Sequence, residues 1–161
     1  MSPGQPSHAE LAAAIKSERA GVAALAEELA AERQALGAGD TDRVADRAPR
    51  KRELLLHIAH MGEARNRMLE RCGVSADRKG MELLLATLAA TDVLIAEWRE
   101  LIDITQKAHR LNQENGAFVD AGMRANQQAL SVLTSAAAAT GTYGASGRTL
   151  NPLSSRSLAS A

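Results

Sequence analysis

From Leu11 onward the larger apolar residues recur at steps of four and three: Leu11, Ile15, Val22, Leu25, Leu29 and Leu36, with Glu18 and Glu32 at the remaining seam positions. That spacing is a heptad seam, and it predicts a long first helix packed on a neighbour. Ser7 and Glu10 supply an S-x-x-E capping box at its start, and Gly37 and Gly39 mark its end. Carboxylates are costly to bury alone, so this face either meets its neighbour loosely or finds an arginine there.

Asp40 stands where it can cap a second helix. Pro49 lacks an N–H and biases Ala48 away from the α region, which makes residues 41–48 a separate turn or a kinked lead-in. After it Leu54, Ile58, Met61, Arg65, Met68 and Cys72 repeat at four and three until Gly73. The short link predicts that the first two helices lie antiparallel.

Ser75 or Asp77 can cap a third helix. From Met81 to Ala139 the helical pattern runs almost without a breaker. Leu84, Leu88, Ile95 and Trp98 keep one phase, whereas Leu101, Ile104, Ala108, Leu111, Asn115, Phe118 and Val132 keep another, displaced by one three-residue step. The shift predicts a bend or a break between Trp98 and Asn115. Within this span Leu111, Phe118, Met123, Leu130 and Leu133 form an apolar stripe, and Asn112, Gln113, Asn115, Asn126, Gln127 and Gln128 fill the gaps with amides in place of charges. Such a face suits a partner helix, although the same stripe would serve as internal bundle core. Asn115 fits either a register-setting polar position or part of the partner surface.

The expected fold is all-α: an elongated antiparallel bundle of three to four long helices with coiled-coil-like packing. Residues 1–6, with Pro3, Gly4 and Pro6, are expected to be disordered, residues 7–139 to form the bundle, and the Gly- and Ser-rich residues 140–161 to form a flexible tail. Aromatic residues are only 2% of the chain, which favours burial along helix seams over a thick globular core.

Charge and chemistry narrow the function classes. Lys and Arg number 19 and Asp and Glu 19, so no basic excess is available to neutralise phosphates, and nucleic acid is excluded as a partner. No apolar run approaches the roughly 18 residues needed to cross a bilayer, and the N-terminus has no signal-peptide pattern, so no membrane insertion and a cytoplasmic location are expected. Cys72 is the single cysteine and reads as a small hydrophobe. Glu53, His57, His60 and Glu63 share a helix face, but they lack the paired Glu-x-x-His motifs of a di-iron bundle and read as a solvated polar face. No nucleophile elbow or phosphate loop is present, so no catalytic residue, cofactor or metal is assigned and the chain is expected not to be an enzyme.

The segments Glu32 to Asp40, Lys51 to Leu55, Leu111 to Val119 and Thr142 to Arg148, read as ERQALGAGD, KRELL, LNQENGAFV and TYGASGR, together resemble the FlgN family. The resemblance covers roughly residues 8–148 and departs from the family pattern at Pro49. It implies a cytoplasmic flagellar type III export chaperone that binds the C-terminal helical segments of the hook-filament junction proteins FlgK and FlgL and keeps them from premature assembly and degradation. On that resemblance the substrate is held by about residues 111–139, through Leu111, Asn115, Phe118, Val119, Met123, Leu130 and Leu133. Tyr143 matches a family tyrosine that docks on the export gate FlhA, and contact with the export ATPase complex is implied as well. A self-associating structural or signalling coiled coil is the alternative reading of the same residues.

Overall fold

The computed structural model describes residues 6–141, with side chains as far as residue 136. They form four helices, α1 (His8–Ala38), α2 (Thr41–Arg71), α3 (Arg78–Thr87) and α4 (Asp92–Gly141), and no strand occurs among them. The described residues as far as Phe118 make one compact unit and those from Val119 onward a second.

In the first unit the local signals set the helix ends. Ser7 accepts from the Glu10 amide at 3.2 Å while the Glu10 carboxylate takes the Ser7 N–H at 2.7 Å, so both halves of the capping box are made. Gly39 sits in the left-handed region at φ 69°, and the amides of Gly39 and Asp40 return to the carbonyls of Leu36 and Ala35. These paired hydrogen bonds satisfy the last carbonyls of α1 and turn the chain at once. Asp40 then accepts from the Arg43 amide at 3.0 Å and starts α2. Asp77, not Ser75, caps α3, accepting from the Gly80 amide at 2.8 Å while the Ser75 hydroxyl supports it at 2.7 Å.

Two expectations need correction. Residues 41–48 are not a separate turn: α2 runs unbroken from Thr41 with Pro49 inside it. Pro49 is exposed, so its ring meets solvent and not a packed neighbour, and burial further along the helix outweighs the single ladder bond it forfeits. The break in the last helical span also falls earlier than Trp98. It lies at residues 88–91, where the amides of Ala89 and Ala90 return to the carbonyls of Ala86 and Leu85. Ala89 takes φ 48°, a position glycine usually fills. Thr91 then accepts from the Leu94 amide at 3.3 Å and opens α4, which continues through the whole interval from Trp98 to Asn115.

Ion pairs and buried contacts fix the helix directions. Glu18 meets Arg65 and Glu32 meets Lys51, so α1 and α2 are antiparallel. Lys16 and Arg19 meet Glu97, Arg19 also meets Glu100, and Arg33 donates to the Glu114 carbonyl at 3.2 Å, so α1 and α4 run parallel with a register offset near 81 residues. The first unit is therefore an up-down-up bundle closed at one end by the short helix α3.

The α1 seam forms the spine of its core. Leu11, Ile15, Val22, Leu25 and Leu29 are buried with Leu54 and Leu69 of α2, Met81, Leu84 and Leu85 of α3, and Leu94, Trp98, Leu101 and Ala108 of α4. Both seam glutamates are buried too, and each has found partners. Arg65 lies 2.9 Å from both Glu18 oxygens with its guanidinium stacked 5.4 Å over the Trp98 ring. Lys51 lies 2.5 Å from one Glu32 oxygen, and Asn115 donates to the other at 2.8 Å. Cys72 is half-buried against the core at the end of α2.

Candidate protein-binding surface

α4 carries all of the sequence-predicted binding residues that the structure describes, and it divides them. Leu111 is half-buried against the core of the first unit. Asn115 is 3% exposed, and its amide nitrogen donates to the Leu29 carbonyl at 2.9 Å as well as to Glu32. An amide placed in a seam and donating twice to its covering helix fixes register, so of the two roles open to Asn115 the internal one is occupied, with its buried Oδ1 left without a partner. Phe118 keeps 42% exposure beneath the Arg33 guanidinium, 5.3 Å from the ring centre. The Asn115 and Phe118 partners on α1 were not visible in the sequence, because they depend on the inter-helix offset.

The second unit begins at Val119, and every residue from 119 to 136 is exposed. Val119, Met123, Leu130 and Leu133 succeed one another at four, seven and three residues, and Asn126 stands in the seven-residue gap, three beyond Met123. The set is a 4-3-4-3 seam on one helix face. Met123 is 53% exposed and Leu133 64%, values far above those of the α1 seam, where no buried member exceeds 7%. Asp120 stands beside the first seam position; from there on the flanking residues are Gly122, Gln127, Ala129 and Thr134, with no charge among them. The Thr134 hydroxyl is taken by the Leu130 carbonyl at 3.0 Å. An apolar seam with so little charge beside it, left in water, is the pattern of a helix that receives another helix. Val132 is also exposed but lies away from this face.

Elsewhere the grooves are open and edged by mixed charges, as over Ala20, Ala23 and Ile104, where Lys16, Arg19, Lys107 and Arg110 face Glu100 and Asp103. Among the described residues no group of three His, Cys, Asp or Glu side chains is placed to hold a metal. Glu53, His57, His60 and Glu63 do not gather into a site on α2, and Glu53 is paired to Arg50 and Glu63 to Arg67. Among the described residues no helix is long and apolar enough to cross a membrane.

A family model described as FlgN protein matches residues 1–151. The chain belongs to the FlgN family. Membership carries the role of a flagellar export chaperone, and the match takes in all four helices and the exposed seam. No curated protein and no solved structure matches the chain. FlgN membership is thus carried by nearly the whole length of the chain and not by one short motif. Tyr143 lies outside the described residues, as do residues 142–161 of the expected tail and residues 1–5.

Proposed function

We propose that this FlgN family member is a non-enzymatic cytoplasmic chaperone that binds the C-terminal helical segments of FlgK and FlgL. The seam Val119, Met123, Leu130 and Leu133 is the docking face, whereas of the other expected residues Leu111 and Asn115 hold the preceding stretch of α4 in the first unit and Phe118 lies under Arg33. One observation carries this reading: a family of export chaperones is matched by a chain that leaves a complete heptad face uncovered. Covering an amphipathic helix of the cargo removes the surface through which it would polymerise or be cleaved, and mass action does the rest. Tyr143 supplies a separate contact to the export gate FlhA, and contact with the export ATPase complex accompanies delivery.

The test is retention of FlgK and FlgL by the purified full chain, followed by titration of the variant carrying Met123→Asp and Leu130→Asp. Each aspartate puts an unpaired charge into a face that must be desolvated, so affinity falls by at least about 100-fold while helical content is unchanged. If the full chain neither binds the two proteins nor slows their proteolysis, the assignment fails. Tyr143→Ala leaves cargo binding intact and weakens FlhA binding; equal loss of both would place Tyr143 in the cargo site. A self-associating coiled coil, the other use of a bare heptad face, predicts a mass that rises with concentration in the absence of cargo.

A further inference from the structure

Four of the five seam positions in the second unit are apolar, and the central one is Asn126. All five are exposed, so the amide is solvated while the face is empty and must be desolvated whenever a helix covers it. A buried amide without a partner costs more than the contact around it returns, whereas a matched one is nearly neutral. The first unit of the same chain shows a half-matched case, in which the amide nitrogen of Asn115 is satisfied and its buried Oδ1 has no hydrogen-bond partner. Asn115 occupies a seam covered by α1, and its amide nitrogen is met by the Leu29 carbonyl and the Glu32 carboxylate.

Resting on the docking role proposed above, we infer that Asn126 selects both the identity and the register of the helix that lies on Val119, Met123, Leu130 and Leu133. The occupant is an amphipathic helix whose apolar seam carries one uncharged polar side chain, an amide or a hydroxyl, placed opposite Asn126. Charge complementarity fixes the rest of its character. Gly122, Gln127, Ala129 and Thr134 flank the seam around Asn126 without a charge, so a helix with acidic or basic flanks would lose hydration there and gain no counter-charge. The matching cargo segment has uncharged flanks, and its wrong registers are rejected because each puts a leucine or methionine against the amide.

The experiment uses the full chain and two synthetic helical peptides of roughly three heptads, with leucine seams and Gln and Ser flanks, that differ only in carrying Asn or Leu at the central seam position. The full chain binds the Asn peptide about ten-fold more tightly than the Leu peptide, and Asn126→Leu reverses the order. Affinity for the Asn peptide changes by less than about three-fold between low and high salt. The same preference in the full chain and in Asn126→Leu, or a steep fall with salt, overturns the inference.

Leu130→Asp separates this outcome from failure of the docking role itself. If Leu130→Asp binds both peptides as the full chain does, the face is not the docking site. If it abolishes binding while Asn126→Leu leaves the preference untouched, the docking role stands and the assignment to Asn126 falls. A peptide-free full chain that sediments as a dimer, and a monomer once Leu130→Asp is introduced, identifies the occupant as a second copy and overturns the inference.

Discussion

The Arg65 guanidinium lies 2.9 Å from both carboxylate oxygens of Glu18, and both side chains sit between helices that would otherwise meet through hydrocarbon. Burial pushes the Glu18 carboxyl above its ordinary pKa, and the Arg65 charge and hydrogen bonds pull it back without fully offsetting that. The pair is a place where removing one partner costs much more than removing both.

Arg65→Met therefore lowers stability by about 3 kcal/mol in urea unfolding at neutral pH, because it leaves a buried carboxylate with no counter-charge. The double variant Glu18→Leu, Arg65→Met recovers to within about 1 kcal/mol of the parent. A carboxyl raised in the folded state contributes stability below its unfolded pKa and loses it as pH rises through the folded one. The Arg65→Met penalty accordingly shrinks on acidification from about pH 7 to about pH 5. A penalty independent of pH over that interval would show that Glu18 is not the group left stranded.

Glu10 and Asp77 behave with the opposite sign. The Ser7 backbone amide and then its hydroxyl hold Glu10 below the usual carboxylate range, and the Gly80 amide and Ser75 hydroxyl do the same for Asp77. A lowered folded pKa gives stability that is present above the unfolded value and lost as pH falls through the folded one. The stability difference between the parent and Asp77→Asn, measured by thermal melting, is thus present at neutral pH and is lost in acid, as pH falls below the ordinary aspartate range. Protection of the Gly80 amide against exchange, taken relative to its intrinsic rate at each pH, falls over the same acid range in the parent.

Ala89 holds φ 48°, where an L side chain crowds its own carbonyl. Ala89→Gly relieves that crowding but adds freedom to the unfolded chain, for a net gain of about 0.5 kcal/mol. The gain appears as a raised urea midpoint with an unchanged slope. A loss on Ala89→Gly would mean that the α3–α4 turn does not use the left-handed region.

The starts of α1, α2 and α3 and the ends of α1 and α2 were legible because each signal is local. Ser7 with Glu10, Gly39 with Asp40, and Gly73 lie within five residues of the backbone groups they satisfy. The α3–α4 turn was not, since Ala89 occupies the position where glycine would have announced it and apolar residues continue on both sides. Pro49 misled in the other direction, because its effect depends on whether its ring faces a neighbour or water, and that is settled only by packing. The partners of Glu18 and Glu32 were half legible. An arginine opposite Glu18 is one of the two outcomes a seam glutamate allows, but Lys51, Asn115 and the Arg33 contact on Phe118 depend on helix offsets that no local spacing encodes. The seam of the second unit was readable as an apolar stripe. The central place of Asn126 within it was not, because it requires Phe118 to belong to the first unit, so that the seam starts at Val119.

The nearly uncharged border of that seam also governs time. With little field reaching beyond contact distance, a cargo helix that docks there, as proposed, meets the seam at the unsteered rate of roughly 10⁵–10⁶ M⁻¹s⁻¹, set by how much cargo is nearby. Differences between one cargo and another then reside almost wholly in how long each stays. Under the proposed docking role, the order in which bound proteins are released is set by those dwell times, and it changes little with the ionic state of the surrounding solution.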